Sequence, residues 1–560
     1  MSATRRRPGF AGPGRAWNRL WRSPGEWAKL SGMPIIPAPL HRTPAAGLFR
    51  LGPGATVAYR GAALAPLAEL FCEEVGRRAG LRARAVPAGP DDAAHDITVG
   101  LGGAPELAGL PAPLGIDPAG TPADERYALT IGESGITVRA PWQAGVARGL
   151  ASLLQLVATA APGGGGAVPL RAQRILDAPR FAWRGLSLDV VRRFFGAAQV
   201  RKVIDLAALY KLNVLHLHLT DDQGWRIEAG RPAPAREPDG TFYTDDELRA
   251  LIAHAAGRFV TLLPEVDTPG HAAALLRLRP ELASGRNLVS YETGPGQPHQ
   301  SAWLDPELPA TFEVLDDVLA GLAGIFPGPF VHIGGDEPFG MPDDAYAAHV
   351  GRLRSAVRAL GKRTIGWQES IRAGSDPRHV IQYWLSTASL SAGGAAALPP
   401  GTAATVAANL ERSRSDIEQA IGHGVPVIAS PHSNCYLDVP YAEASADPAQ
   451  AERRERVGLR HYAPRTVGAA FDWEPAASLG TGAPSGSVAG VGAAVWCETV
   501  RDFGDLTFLL LPRLAGTAEK AWGAAGAVRW EQHRTALARH GRLWEQDGLV
   551  FFRAEIVDWR

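Results

Sequence analysis

Phe330-Val331-His332-Ile333-Gly334-Gly335-Asp336-Glu337 is the stretch around which the chain is organised. Its opening residues, mostly aromatic or β-branched, suit a short pleated strand. Two glycines then free the backbone for a sharp turn or a close approach to a ligand, and two adjacent carboxylates follow. On a regular strand Asp336 and Glu337 would face opposite ways, because side chains alternate. At a frayed strand end both can enter one cleft and meet different parts of one substrate. Taken alone, the motif reads as a strand and a polar turn. The other strand ends change that reading.

From about Leu176 onward, strand-like runs alternate with helical ones. Strands are expected at 185–188, 213–219, 259–264, 330–334, 364–367, 380–384, 425–429 and 492–496. Helices are expected at 197–210, 244–256, 308–324 and 343–360, with Thr244 as N-cap and Glu247 completing a capping box. Eight strands interleaved with helices predict an α/β fold, the (β/α)8 TIM barrel, which carries its chemistry on loops at the C-terminal strand ends. Those ends hold Arg184 to Asp189, Asp221 and Asp222, Glu265 to His271, Asp336 and Glu337, Trp367 to Glu369, Trp384, Tyr436 to Asp438, and Trp496 to Glu498. A carboxylate or an indole at nearly every end exceeds what packing requires.

Ahead of the barrel, residues 33–174 read as a small α+β domain. It has a helix at 64–79, a strand at 96–101, a hairpin around Gly132-Glu133-Ser134 and a second helix at 144–157. The glycine run at 163–166 marks a boundary or linker. Residues 1–32 read as a loosely attached arm, and 175–560 as the barrel domain. This smaller domain shows no chemistry of its own and reads as scaffold.

The chain has 560 residues, 57 Lys and Arg against 57 Asp and Glu, and 15 Trp. Balanced charge gives no nucleic-acid-binding surface. Three cysteines are too few and too scattered for a disulfide framework or a zinc site. Arg5-Arg6-Arg7 is followed by no continuous apolar run, so no secretory leader is read. Nor is there a run of about 18 apolar residues for a membrane span. The expected location is cytoplasmic, with secretion as the alternative.

From about Asp177 onward the chain resembles the family 20 glycoside hydrolases, the β-N-acetylhexosaminidases. The matching segments, in order, are DAPRFAWRGLSLDVVRRFF, HLHLTDDQGWRIE, PEVDTPGH, VHIGGDEP, GWQE, YLD and WCE; together they are specific, although each alone is weak. The resemblance implies retaining hydrolysis without a metal or cofactor, in which the substrate's own 2-acetamido oxygen attacks the anomeric carbon. Glu337 would be the general acid and base, Asp336 would orient the acetamido N–H and stabilise the oxazolinium intermediate, and Tyr436 would donate to the acetamido oxygen. Trp367, Trp384 and Trp496 would wall the acetamido methyl. Arg184 and Glu498 would clamp the 3- and 4-hydroxyls and Asp438 the 4- or 6-hydroxyl, while Asp221 and His271 would position Glu337. The implied partner is a saccharide ending in N-acetylhexosamine; oligomeric state is not legible. Two alternatives stand beside this reading. His216 and His218 share a strand face and could ligate a metal in an amidohydrolase-type barrel, or the chain could be an inactive amino-sugar-binding protein.

Overall fold

The computed structural model describes residues 34–559 apart from 90–94, 103, 122, 161–165, 229–236, 295–296, 387–399 and 481–482. The expected arm at 1–32 and most of the glycine run at 163–166 lie outside the described residues.

The first domain is built on a seven-stranded mixed sheet of β1 (His41–Leu51), β2 (Thr56–Arg60), β3 (Arg84–Pro87), β4 (Ile97–Leu101), β5 (Tyr127–Ile131), β6 (Ile136–Ala140) and β7 (Val168–Asp177), in the order β1-β7-β5-β6-β4-β2-β3. The hairpin β5–β6 and the helices Ala65–Ala79 and Gln143–Ala158 fall where the sequence pattern puts them. Four strands were not read. Strand β1 is the instructive one: six consecutive residues are exposed, so it lacks the apolar alternation that periodicity detects, and it forms only because β7 pairs with it across a register shift. Strand β7 runs to Asp177, across the expected boundary at 174/175.

That strand delivers a carboxylate that ties the two domains together. Asp177 accepts from Leu40 N (2.9 Å) and Tyr127 OH (2.7 Å) on the side of the small domain. It also accepts from Lys211 Nζ (2.9 Å) and Trp522 Nε1 (3.0 Å) on the barrel side. All are buried, which is how a charge survives inside a protein.

The barrel closes with eight parallel strands in sequential order: Trp183–Asp189, Val214–His218, Thr261–Glu265, Phe330–His332, Arg363–Trp367, Val380–Tyr383, Val427–Ala429 and Val488–Val495. Thr244 caps the helix Asp245–Ala256 in a capping box with Glu247, as the sequence predicts; such a cap stabilises by about 1 kcal/mol. After the fifth strand there is only the 3-10 segment Gln368–Ala373 where a barrel would ordinarily place an α-helix. The seventh strand stops at Ala429, well short of Asp438. A single-turn helix, His432–Cys435, intervenes, and Tyr436 rejoins the barrel edge by bridging to Ala494. Cys72, Cys435 and Cys497 are free thiols.

Candidate active site

Asp336 and Glu337 leave the fourth strand through Gly334 (φ 66°) and Gly335 (φ 106°), both in left-handed conformation. A Cβ on Gly334 would fall 1.7 Å from Asp267 Oδ1, so only glycine fits there. Glu337 (φ 47°) and His271 (φ 53°) also adopt left-handed backbone, a cost that surrounding structure must offset. Gly335 N donates to Asp267 Oδ1 (3.2 Å), and Tyr346 OH donates to Gly335 O (2.6 Å), pinning the turn from both sides.

A relay of imidazoles and carboxylates runs beneath the pair. His271 Nε2 sits 3.7 Å from Asp336 Oδ2 and 3.8 Å from Glu337 Oε2, facing both acids at once. Its Nδ1 lies 3.1 Å from Asp221 Oδ1. Asp221 Oδ2 in turn lies 2.6 Å from Arg192 Nη2 and 2.8 Å from His218 Nε2, and His218 Nδ1 is 2.5 Å from Glu265 Oε2. Burial opposes charge on His271, but Asp221, Asp267 and Asp336 more than offset it and hold the imidazolium well above its usual range. Burial lifts Asp336 well above the ordinary carboxylate range, with Asp267 and Glu337 adding to it against the pull of His271. Burial also raises Glu337, partly countered by His271 and Arg192, and pushes Asp267 up to about 7. Acids outweigh cations in this cleft. It is a place prepared for an incoming positive charge.

Beside the acids stands an aromatic box. Trp384 and Tyr436 are parallel (8°) with centroids 6.3 Å apart, and Trp496 meets Tyr436 at 5.8 Å and Trp367 at 5.9 Å. Each of two walls is held by an acid: Trp367 Nε1 donates to Glu265 Oε1 (2.9 Å) and Trp384 Nε1 to Glu369 Oε2 (3.1 Å). The Arg192 guanidinium lies 5.5 Å over the Trp496 ring, a cation–π contact that orients it. Asp438 accepts from Trp496 N through Oδ1 (3.1 Å), while its Oδ2 is buried without a partner among the described residues. Glu498 stands exposed at the rim.

Ten of the eleven residues expected from the sequence therefore gather at the C-terminal mouth: Asp221, His271, Asp336, Glu337, Trp367, Trp384, Tyr436, Asp438, Trp496 and Glu498. Arg184 does not. It sits at the start of the first strand, at the opposite end of the barrel, fully buried. Its Nη2 donates to both oxygens of Glu125 (2.7 Å each), and Nε and Nη1 donate to Lys211 O and Phe181 O. Arg184 is a structural ion pair with the small domain, and the guanidinium at the mouth belongs to Arg192. The signal for Arg192 was available: the first strand is seven residues long, so an arginine one residue into it cannot reach the rim, whereas one just past its end can. Glu265, Asp267 and Glu369 stood in the strand-end pattern but were given no role, because the pattern does not say which side chain each carboxylate will meet.

His216 and His218 do share a strand face, and His216, Glu265 and His332 bring ligand atoms within 4.8 Å of one another. Both strand-two imidazoles, however, converge on Glu265, and His216 Nδ1 pairs with Ser187 Oγ at 2.7 Å.

An acid pair and a box of indoles at the C-terminal mouth of a (β/α)8 barrel are the parts of a sugar-cleaving hydrolase. The chain belongs to glycosyl hydrolase family 20: the model of that family's catalytic domain matches residues 181–525, and that of its domain 2 matches residues 32–178. It is 37% identical over 467 residues to a beta-N-acetylhexosaminidase of Cellulomonas fimi, covering 82% of this chain and 85% of that one. It is 30% identical over 442 residues to a beta-hexosaminidase of Akkermansia muciniphila (74% and 83%). Among solved structures it resembles the Streptomyces plicatus N-acetyl-beta-hexosaminidase in complex with Thio-NAglucal, with TM-score 0.77, 29% identity, and 94% and 98% of the two chains covered. The GH20 beta-N-acetylhexosaminidase of Streptomyces coelicolor A3(2) is similar at TM-score 0.76 and 28% identity (95% and 99%). This membership does not favour the metal-dependent amidohydrolase reading. Among the described residues, no helix is long and apolar enough to cross a membrane.

Proposed function

We propose that this chain is an exo-acting β-N-acetylhexosaminidase that removes terminal β-linked GlcNAc or GalNAc with retention of configuration, the substrate's acetamido oxygen serving as nucleophile. The observation that carries the reading is the Asp336–Glu337 pair set against a box of Trp367, Trp384, Tyr436 and Trp496. A box of that chemistry suits a flat amide and its methyl group, and it excludes water from the oxazolinium that would form there. Glu337 protonates the leaving oxygen and later takes a proton from the incoming water; its raised affinity for a proton suits it to the first task at neutral pH. Asp336 accepts the acetamido N–H and bears the negative charge opposite the cationic ring. The arriving positive charge offsets the burial, and the repulsion from Asp267 and Glu337, that lift Asp336. Tyr436 donates to the acetamido oxygen. Arg192 replaces Arg184 as the hydroxyl clamp, with Glu498 and Asp438 as its companions. Asp221 and His271 hold Glu337 in place.

A panel of nitrophenyl β-glycosides tests this reading. Release from the GlcNAc and GalNAc glycosides, with the glucoside lacking the acetamide at least about 10³-fold slower, is the expected result. Turnover would also set aside an inactive sugar-binding role. A thiazoline mimic of the cyclic intermediate should inhibit strongly; comparable rates on plain glucosides would point to an enzyme nucleophile instead.

A further inference from the structure

Resting on that activity, we infer that Glu369 is a positioning residue that sets the depth of the N-acyl pocket by holding Trp384. The two tethered walls of the box are unlike. Trp367 is 1% exposed and hangs from Glu265, whose oxygens also face His216, His218 and His332. That acid is locked from every side, and its indole has no slack. Trp384 is 9% exposed and hangs from Glu369, which gives it a single hydrogen bond; Glu369 Oε1 is buried with no partner among the described residues.

The segment that carries Glu369 is itself built around Trp384. Gln368 Oε1 accepts from Trp384 N (3.1 Å) and Leu385 N (2.8 Å), and Gln368 Nε2 donates to Ser413 Oγ (2.5 Å). Ser413 Oγ donates on to Leu385 O (2.6 Å). Backbone and indole of the sixth-strand end are thus gripped by consecutive side chains from the end of the fifth, where a 3-10 segment stands in place of a helix. Burial, then the neighbouring Asp336, lifts the Glu369 carboxyl to about 8. That favours the neutral acid, which accepts from the Trp384 indole without a full negative charge beside Asp336. Gln supplies the same acceptor; Ala leaves the indole free to tilt toward the space the side chain vacates.

The experiment compares the wild-type enzyme, Glu369→Gln and Glu369→Ala on nitrophenyl β-glucosaminides bearing N-acetyl, N-propionyl and N-butyryl groups. One methylene in an apolar pocket alters kcat/KM by about 10-fold or more, so the wild-type enzyme should fall steeply along the series. In Glu369→Ala the acetyl-to-butyryl ratio should collapse by about tenfold or more, and kcat on the N-acetyl substrate should drop more than KM rises, because the pose for attack is loosened. Glu369→Gln should restore the wild-type ratio. An active Glu369→Ala enzyme with the wild-type ratio overturns the inference, and so does a Glu369→Gln enzyme as permissive as the alanine variant. A wild-type enzyme inert on the N-acetyl substrate instead overturns the activity on which the inference rests.

Discussion

The two ends of the barrel each set an arginine against a buried carboxylate, and they use the pair in opposite ways. At the N-terminal end Arg184 and Arg148 share Glu125, and their remaining guanidinium contacts are to backbone carbonyls. At the C-terminal end Arg192 shares Asp221 with two histidines, and Asp336 and Glu337 remain 14% and 32% exposed with their protons held up. One cluster is satisfied and acts as mortar. The other is left unsatisfied on purpose, and its imbalance is what a cationic intermediate would correct. Burial alone does not mark a working site; burial with residual charge does.

The comparison breaks most visibly at Glu337. Glu337→Gln should lower kcat on an N-acetylglucosaminide by about 10³-fold or more, at the upper range of general acid catalysis, while the thermal midpoint barely moves. A variant within tenfold of wild type would remove Glu337 from its role. Next comes the arginine pair. Arg184→Ala takes from Glu125 one of its two guanidinium partners, leaving Arg148, and should cost about 3 kcal/mol of stability, the lower end for breaking a buried pair, measured by denaturant unfolding, with kcat per folded molecule unchanged. Arg192→Ala should do the reverse, lowering kcat/KM by about 10²-fold with a smaller loss of stability; equal effects of the two would erase the distinction between the ends.

The smallest effect is in pH dependence, and its sign differs between the ends. Burial would raise Glu125, but Arg184 and Arg148 hold it below 4.5. Its contribution to stability is present above 4.5 and is lost as pH falls through the lowered value, so the melting temperature should sag in acid and Glu125→Gln should sag less. Glu337 is raised, so its proton, and with it kcat, is lost as pH rises. An alkaline decline in kcat that survives in a slow but measurable Glu337→Gln enzyme would assign that limb elsewhere.

Much of the barrel was legible because each strand end repeats one pattern: a few apolar residues, then a carboxylate or indole. Helix 245–256 could be read from Thr244 and Glu247 alone. What escaped had a physical reason. Strand β1 is almost wholly exposed and owes its form to its neighbour. Arg184 was misassigned because a motif gives order without length: five strand steps of about 3.3 Å put its Cα roughly 16 Å below Asp189. Tyr436 returns to the rim after a helical turn that no periodicity announces. Glu265 and Glu369 stood in the strand-end pattern, but their roles became visible only when their indole partners were placed in space.

Asp177 has a consequence for how the molecule can be divided. Its donors come from residues 40, 127, 211 and 522, so a cut anywhere between sheet and barrel would orphan a buried lysine on one fragment or a buried tyrosine on the other. The amino-terminal module is therefore a keystone rather than an accessory, and calorimetry of the intact chain should record one endotherm where two detachable bodies would give two.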